Sequence, residues 1–197
     1  VKTPEQVRKI QAAQALTEYA FAHILTCIAP GKTERELALE LEFAMRKQGA
    51  DGVAFDIIVV SGENSSMPHG VPGNREIQPG DLITLDFGAR LDGWHSDMTR
   101  TVAVGHVSEE QRQVYQTVLA AQQACLQGLR AGMTGEEGDK LAREVIAAAG
   151  YGDYFGHSTG HGVGMEVHEE PRLSPRAKEL VLAPGHSARD TFQMLYE

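Results

Sequence analysis

The chain has 197 residues, of which 42% are hydrophobic and 23% are charged, and its formal net charge is −9. This composition is typical of a globular protein with one sizeable hydrophobic core. The negative charge and the lack of a lysine- or arginine-rich run argue against nucleic acid or an anionic membrane as a partner. Apolar stretches are too short to span a bilayer, and no secretory signal is recognisable. The two well-separated cysteines are typical of reduced thiols, so we expect a cytoplasmic protein.

Two pairs of helices are predicted, and the second pair repeats the first. Thr3 and Thr33 are each followed three residues later by Gln or Glu, which is a signature of a helix start. A second pair of helices is predicted to begin near Ser108 and Thr134. With an offset of 101 residues, the turn and cap positions of the two pairs coincide: Gly31 with Gly132, Thr33 with Thr134, Glu36 with Glu137, and Gly49 with Gly150. We therefore expect one domain over residues 1–197, built of two similar α+β halves at about 1–105 and 106–197.

Strands are predicted after the first helical pair. Residues 53–60 are rich in β-branched and aromatic side chains, and residues 82–89 and 94–104 flank Asp92 and Gly93. An Asp-Gly pair between two such runs is a strong hairpin signal. If these two residues form the turn, Leu91 faces Trp94 and Asp86 faces Thr99.

Two carboxylates fall on one face of this hairpin. Asp97 lies two residues from Thr99, so it is a diagonal neighbour of Asp86, and such neighbours are roughly 7–8 Å apart or less at the Cβ atoms. A capping role for Asp86 and a solvated Asp97 are the simpler alternatives. Like charges on one face of an apolar hairpin need a counterion, however, and a pair of metal ions about 3.5–4 Å apart would supply it.

Histidines are concentrated in residues 157–171. His157, His161 and His168 fall within twelve residues, and the glycines around His161 allow the backbone to approach a ligand closely. A helical zinc site formed by His157 and His161 is disfavoured by those glycines. Residues 165–168, if extended, would place Glu166 and His168 on one face and pack Met165 and Val167 on the other. The simpler alternative for His168 is a surface pair with its neighbour, Glu169. No pattern supports a role for four further histidines: His23, His95, His106 and His186.

These motifs resemble the catalytic domain of the pita-bread metallopeptidases, in particular the Xaa-Pro aminopeptidases and Xaa-Pro dipeptidases (prolidases). The resemblance extends from about residue 3 to residue 185. The matching segments are SGEN at 61–64, PHG at 68–70, LDFG at 85–88, SDMTRT at 96–101, HSTGHG at 157–162 and HEEP at 168–171. The fold that the resemblance implies is α+β, with two pseudo-symmetric halves around a curved antiparallel sheet.

The resemblance implies a role for each matching residue. Asp86, Asp97 and His161 match ligands of two divalent metal ions, for which Mn, Co and Zn are all suitable. His69 matches a residue that contacts the substrate or its leaving group. His157 and His168 match residues that bind the substrate and stabilise the tetrahedral intermediate. The implied reaction is hydrolysis of the bond between an N-terminal residue and proline in short peptides, with a metal-activated water as the nucleophile and a carboxylate moving its proton. A homodimer is compatible with the resemblance.

The sequence departs from this family at its C-terminus. The family has two further glutamate ligands in strands beyond residue 185, and neither motif is found in residues 186–197. Asp190 lies near the expected position of the first glutamate, but without the surrounding motif we do not assign it. The family's usual N-terminal domain is also absent. We therefore expect an incomplete second half with an exposed sheet edge, and a chain that is poorly active as given.

Other functions remain open at this point. Methionine aminopeptidases share the fold and the metal ligands, and a non-catalytic peptide-binding module of the same fold is an alternative from a different class. Creatinase-like hydrolases lack the metal ligands, so Asp86 and Asp97 count against them.

Overall fold

The computed structural model describes residues 2–178, which form two compact units. The first unit contains residues 2–109 and 163–167, and the second contains residues 110–162 and 168–178. Asp190 and the segment 186–197 lie outside the described residues. No helix within residues 2–178 is long and apolar enough to cross a membrane.

The first unit begins with two helices and continues into strands. Its elements are α1 (Pro4–Cys27), α2 (Glu34–Lys47), β1 (Gly52–Val53), β2 (Ile58–Ser61), β3 (Leu82–Phe87), β4 (Ala89–Leu91), β5 (Trp94–His95) and β6 (Met98–Ala103). The strands form two antiparallel sheets, one in the order β2-β3-β6 and one in the order β1-β4-β5. A short 3-10 helix, Gly62–Ser66, follows β2.

Strand β3 shows how the core of the first unit is built. Ile83, Leu85 and Phe87 are fully buried, whereas Thr84 and Asp86 between them are half-buried. This alternation follows from the two-residue period of a strand. The apolar face packs with residues of α1 and α2, among them Ile24 and Leu41, in one hydrophobic cluster.

The second unit contains helices α3 (Glu109–Gly128) and α4 (Gly135–Ala148). The first residue of α3, Glu109, belongs to the first unit. A two-stranded antiparallel sheet of β7 (Gly160–Gly162) and β8 (Glu169–Leu173) follows. The hydrophobic core cluster of the second unit is smaller than that of the first unit and consists of Ala121, Cys125, Ala142, Ile146 and Leu173.

The cap and turn positions of the two helical pairs have similar backbone conformations. Thr33 and Thr134 each cap a helix by accepting a hydrogen bond from a main-chain N–H, and the glutamate three residues later bonds back to the threonine N–H. Gly31 and Gly132 both have φ of 88°, a left-handed conformation that favours glycine. Gly49 and Gly150, which follow α2 and α4, also have positive φ values, of 107° and 87°.

The prediction of one continuous strand over residues 53–60 is wrong for residues 54–57. The structure divides this segment into β1 and β2, with residues 54–57 outside either strand. Ala54 donates its N–H to the carbonyl of Gly88, at 2.8 Å, while Ile58 pairs with Asp86. The segment therefore leaves one sheet and enters the other, because β3 and β4 are themselves separated at Gly88.

Candidate metal centre

The turn and register predicted for the hairpin are confirmed. Asp92 and Gly93 have φ values of 51° and 76°, as expected for a two-residue turn with both central residues left-handed. Leu91 pairs with Trp94. Further along the ladder, Asp86 pairs with Thr99, whose hydroxyl donates a hydrogen bond of 2.8 Å to the Asp86 carboxylate.

Asp97 lies at a break in the hairpin, immediately before β6 and two residues from the partner of Asp86. Its neighbour Ser96 is 1% exposed and fixes this break. The Ser96 hydroxyl lies 2.6 Å from that of Thr17 on α1, and it accepts a hydrogen bond of 2.9 Å from the N–H of Ala89. The backbone next to Asp97 is thus held between helix α1 and strand β4.

Gly88 makes this break possible. A Cβ atom at Gly88 would lie 2.0 Å from the carbonyl oxygen of Ser96 and 3.1 Å from the Cβ of Ala54. Only a residue without a side chain allows the two backbones to approach so closely. The LDFG and SDMTRT segments therefore form one local structure that brings Asp86 and Asp97 to the same hairpin, and both carboxylates are half-buried.

His69 lies in the loop between β2 and β3 and is exposed. It is part of a turn closed by a hydrogen bond of 3.2 Å from the N–H of Gly70 to the carbonyl of Met67. Gly70 is buried, and a Cβ atom there would lie 2.6 Å from the Val60 side chain. The PHG segment thus places His69 on a turn that packs directly against β2.

A buried glutamate holds the two ends of the His69 loop. Glu34, 1% exposed, accepts hydrogen bonds of 2.8 Å from the N–H and from the hydroxyl of Ser61 and one of 3.0 Å from the N–H of Gly73. Arg75 joins this network by donating to the Ser61 hydroxyl at 2.7 Å and to both carboxylate oxygens of Asp81. Sequence analysis missed all three charged residues, since Glu34 looks like an ordinary first-turn glutamate.

Asp81 stays ionised within this network. Burial by itself would raise its pKa, but the hydrogen bonds from Arg75 and from the N–H of Gln78 outweigh burial and hold the pKa of Asp81 below its ordinary value. The same contact raises the pKa of Arg75.

The histidine-rich segment forms the small sheet of the second unit. His161 is the central residue of β7 and pairs with Arg172 of β8. His168 immediately precedes β8, and the centroids of the His161 and His168 rings lie 4.3 Å apart. Both imidazoles are exposed, and residues 157–161 are not helical, as the glycines predicted.

The expectation of an extended segment at 165–168 is wrong. Residues 164–168 form consecutive bends, and the N–H of Gly164 donates to the carbonyl of Glu166 at 3.0 Å. Met165 is consequently 60% exposed rather than packed. The segment is anchored differently, by a hydrogen bond of 2.8 Å from the N–H of His95 to the carbonyl of Gly164.

His157 and Thr159 are positioned by an ion pair on α4. The Asp139 side chain is 2% exposed and pairs with Arg143 through two hydrogen bonds of 2.6 and 3.1 Å. Asp139 also accepts from the N–H and the hydroxyl of Thr159, and Arg143 donates to the carbonyls of Phe155 and His157. Sequence analysis missed this pair as well, although its i, i+4 spacing on a predicted helix is a usable signal.

The sequence matches known metallopeptidases over most of its length. The profile of metallopeptidase family M24 covers residues 8–188. The uncharacterized peptidase YqhT of Bacillus subtilis is 53% identical over 185 residues, and the Xaa-Pro dipeptidase of Pyrococcus furiosus is 44% identical over 185 residues. Each alignment covers 94% of this chain but only 52% and 53% of the relative. The chain therefore spans about half the length of the curated relatives that it matches.

Solved structures confirm the predicted α+β fold of pita-bread type. The Xaa-Pro dipeptidase from Bacillus anthracis superimposes with a TM-score of 0.90 at 49% identity, covering 92% of this chain and 51% of that protein. The X-Pro aminopeptidase from Thermotoga maritima gives a TM-score of 0.88 at 45% identity, covering 91% of this chain and 51% of that protein. By sequence and by fold, the chain belongs to metallopeptidase family M24.

Proposed function

We propose that this chain is the catalytic domain of a metal-dependent exopeptidase that hydrolyses the bond between an N-terminal residue and proline in short peptides. One observation carries the proposal: in a chain of family M24, two half-buried carboxylates lie on one hairpin, with Asp86 paired with Thr99 and Asp97 two residues from that partner. Relatives named Xaa-Pro dipeptidase supply the substrate class, an Xaa-Pro peptide.

The donor set fits divalent metal ions. Asp86, Asp97 and His161 would hold them, and mixed carboxylate and imidazole donors suit Mn, Co and Zn alike. Two such ions, when bound, polarise the scissile carbonyl and lower the pKa of a water molecule. The chain supplies the orientation of the ligands: Thr99 holds one oxygen of Asp86, and the break at Gly88 and Ser96 holds the backbone beside Asp97.

Three histidines are proposed to contact the peptide. His69 would contact the substrate or its leaving group, and His168 would help to stabilise the tetrahedral intermediate by a hydrogen bond to its oxygen. His157 would bind the substrate beside them. The supporting observations are that the three side chains are exposed, that buried Glu34 bonds to both ends of the His69 loop, and that Arg143 donates to the carbonyl of His157.

Assembly and location are part of the same proposal. We infer a cytoplasmic enzyme because Cys27 and Cys125 are free thiols, as is usual in a reducing compartment. A homodimer is the assembly we propose, and sedimentation of the purified chain tests it.

Metal binding is the first test. Calorimetric titration of Mn²⁺ into the 197-residue chain should show binding that is lost in Asp86→Ala and in Asp97→Ala. An Asp56→Ala variant, which changes an exposed aspartate of the same unit, should bind as the parent does. Binding that survives both ligand substitutions would overturn the assignment.

The reaction itself is tested on a chain extended beyond residue 178 with the corresponding segment of the P. furiosus Xaa-Pro dipeptidase. Release of proline from Xaa-Pro dipeptides, abolished by Asp97→Ala, is the expected result. Cleavage of Met-Ala in preference to Xaa-Pro would instead indicate a methionine aminopeptidase. Peptide binding without cleavage of either substrate would indicate a non-catalytic module.

A further inference from the structure

A second group of metal-ligating side chains lies on the helical pair of the first unit. His23 and Cys27 are one turn apart near the C-terminal end of α1, and Glu40 faces them from α2. The His23 Nε2 atom lies 2.6 Å from Glu40 Oε1 and 3.6 Å from Cys27 Sγ. One ligand atom from each of the three residues lies within 4.8 Å of the others.

The separation between His23 and Cys27 is close to that of two ligands around a tetrahedral ion. With Zn–N of about 2.0 Å and Zn–S of about 2.3 Å, neighbouring nitrogen and sulfur ligands are roughly 3.5 Å apart, and nitrogen and oxygen ligands roughly 3.3 Å apart. The pair His23 and Cys27 already has the first separation. The pair His23 and Glu40 is closer because a hydrogen bond joins the two groups, and the ion would replace this hydrogen bond.

The three side chains are partly exposed, so a water molecule could act as the fourth ligand of the ion. His23 and Glu40 have side-chain exposures of 35% and 39%, and Cys27 is half-buried against the core. The long Glu40 side chain is therefore able to move outward by the fraction of an ångström that the ion requires. Three protein ligands with an open fourth position is the arrangement of zinc sites that retain a bound water.

We propose that His23, Cys27 and Glu40 form a second cation site, separate from the centre at Asp86 and Asp97, that takes a borderline divalent ion such as Zn²⁺. A thiolate and an imidazole favour Zn²⁺ over Mn²⁺, whereas the carboxylates of the hairpin suit the harder ion. The thiolate therefore distinguishes the second site from the first centre, whose carboxylate and imidazole donors suit Mn, Co and Zn alike. This inference does not depend on the peptidase reaction.

Cobalt spectroscopy tests the site through its sulfur ligand. Co²⁺ is added to the full 197-residue chain under reducing conditions, and the thiolate-to-cobalt charge-transfer band is recorded. We expect the band to appear, to persist in the Asp86→Ala/Asp97→Ala double variant, and to disappear in Cys27→Ser. Cys125→Ser is the control for the other thiol, which is buried beside the carbonyl of Gly138, and it should keep the band.

Zinc affinity then tests the two remaining ligands. Competition with a chromophoric chelator should show Zn²⁺ binding weakened by at least about tenfold in His23→Ala and in Glu40→Ala, because loss of a ligand costs at least as much as loss of a group that supports one. Glu42→Ala is a matched control on α2, since the Glu42 side chain is 38% exposed and also has a partner, Arg46. Circular dichroism verifies that each variant is folded.

Any one of three outcomes would overturn the proposal. The first is the absence of the charge-transfer band, and the second is a band that Cys27→Ser leaves unchanged. Either result would show that no cation is bound to Cys27. Equal Zn²⁺ affinity in Glu40→Ala and Glu42→Ala would show that the contact between His23 and Glu40 is only a hydrogen bond between two helices.

Discussion

The hydroxyl of Thr99 donates a hydrogen bond of 2.8 Å to the carboxylate of Asp86, its direct partner across the hairpin. This contact orients the Asp86 carboxylate on the hairpin. Groups that orient a metal ligand typically contribute 10- to 100-fold to metal affinity.

Thr99→Val should therefore weaken Mn²⁺ binding by about tenfold without unfolding the hairpin. The valine retains the shape and β-branching of threonine but cannot donate a hydrogen bond. Thr101→Val is the matched control, because Thr101 lies two residues away on β6 and pairs with Thr84 rather than with Asp86. Titration calorimetry of both variants checks the prediction, and equal affinities would show that the Thr99 contact does not orient Asp86.

Gly88→Ala should destabilise the first unit by about 1–3 kcal/mol or more, because the added methyl group meets backbone rather than a movable side chain. The contact is with the Ser96 carbonyl at 2.0 Å. Metal binding through Asp97 should be lost together with stability. Urea unfolding compares this variant with Gly156→Ala, where an added Cβ atom has no neighbour within 4 Å. Similar unfolding free energies for the two variants would contradict the close approach at Gly88.

Arg143→Lys should loosen the segment from Phe155 to Thr159 although it keeps the positive charge. A lysine cannot make the two parallel bonds to Asp139 and at the same time reach the carbonyls of Phe155 and His157. Hydrogen exchange at residues 155–161 should accelerate. Lys140→Arg, an exposed change on the same helix, should leave that exchange unchanged. Slow exchange in Arg143→Lys would show that the strands alone hold this segment.

Asp81→Asn should lower the free energy of unfolding at neutral pH by about 1–3 kcal/mol, because it removes a charged acceptor from Arg75. The pKa of Asp81 is depressed in the folded chain, so its stabilisation is fully present above the unfolded pKa, near 4, and is lost as the pH falls through the lower folded value. The difference between the parent and Asp81→Asn should accordingly shrink below about pH 4.

Urea unfolding at several pH values measures that difference. Asp56→Asn provides the comparison at an exposed aspartate of the same unit. A difference between the parent and Asp81→Asn that grows as the pH falls would contradict the depressed pKa.

Local features of this fold were predictable from the sequence, and features made by distant contacts were not. The capping boxes at Thr33 and Thr134 and the turn at Asp92 depend on residues within three or four positions, so their patterns predict the structure directly. The register of Asp86 and Thr99 follows from that turn. By contrast, Glu34 meets Ser61 and Gly73, which are 27 and 39 residues away.

The candidate sites show the same division. Asp86 and Asp97 belong to one hairpin, so their placement on it could be predicted, whereas their metal ligation stays a proposal. His23 and Cys27 are visible as neighbours on a helix, but Glu40 joins them only because α1 and α2 pack together. Residues 54–57 lie outside the strands because β3 and β4 are separated at Gly88. The β-propensity of residues 54–57 gives no information about this separation.

The paired capping boxes carry different residues directly after the capping threonine. Glu34 and Gly135 occupy the same position of the internal repeat but have different surroundings. Glu34 is a buried anchor for a loop, whereas at Gly135 a Cβ atom would lie 2.1 Å from the carbonyl of Arg172. The two positions share a backbone pattern but cannot exchange residues: glycine at position 34 would remove the acceptor for Ser61 and Gly73, and glutamate at position 135 would collide with the backbone.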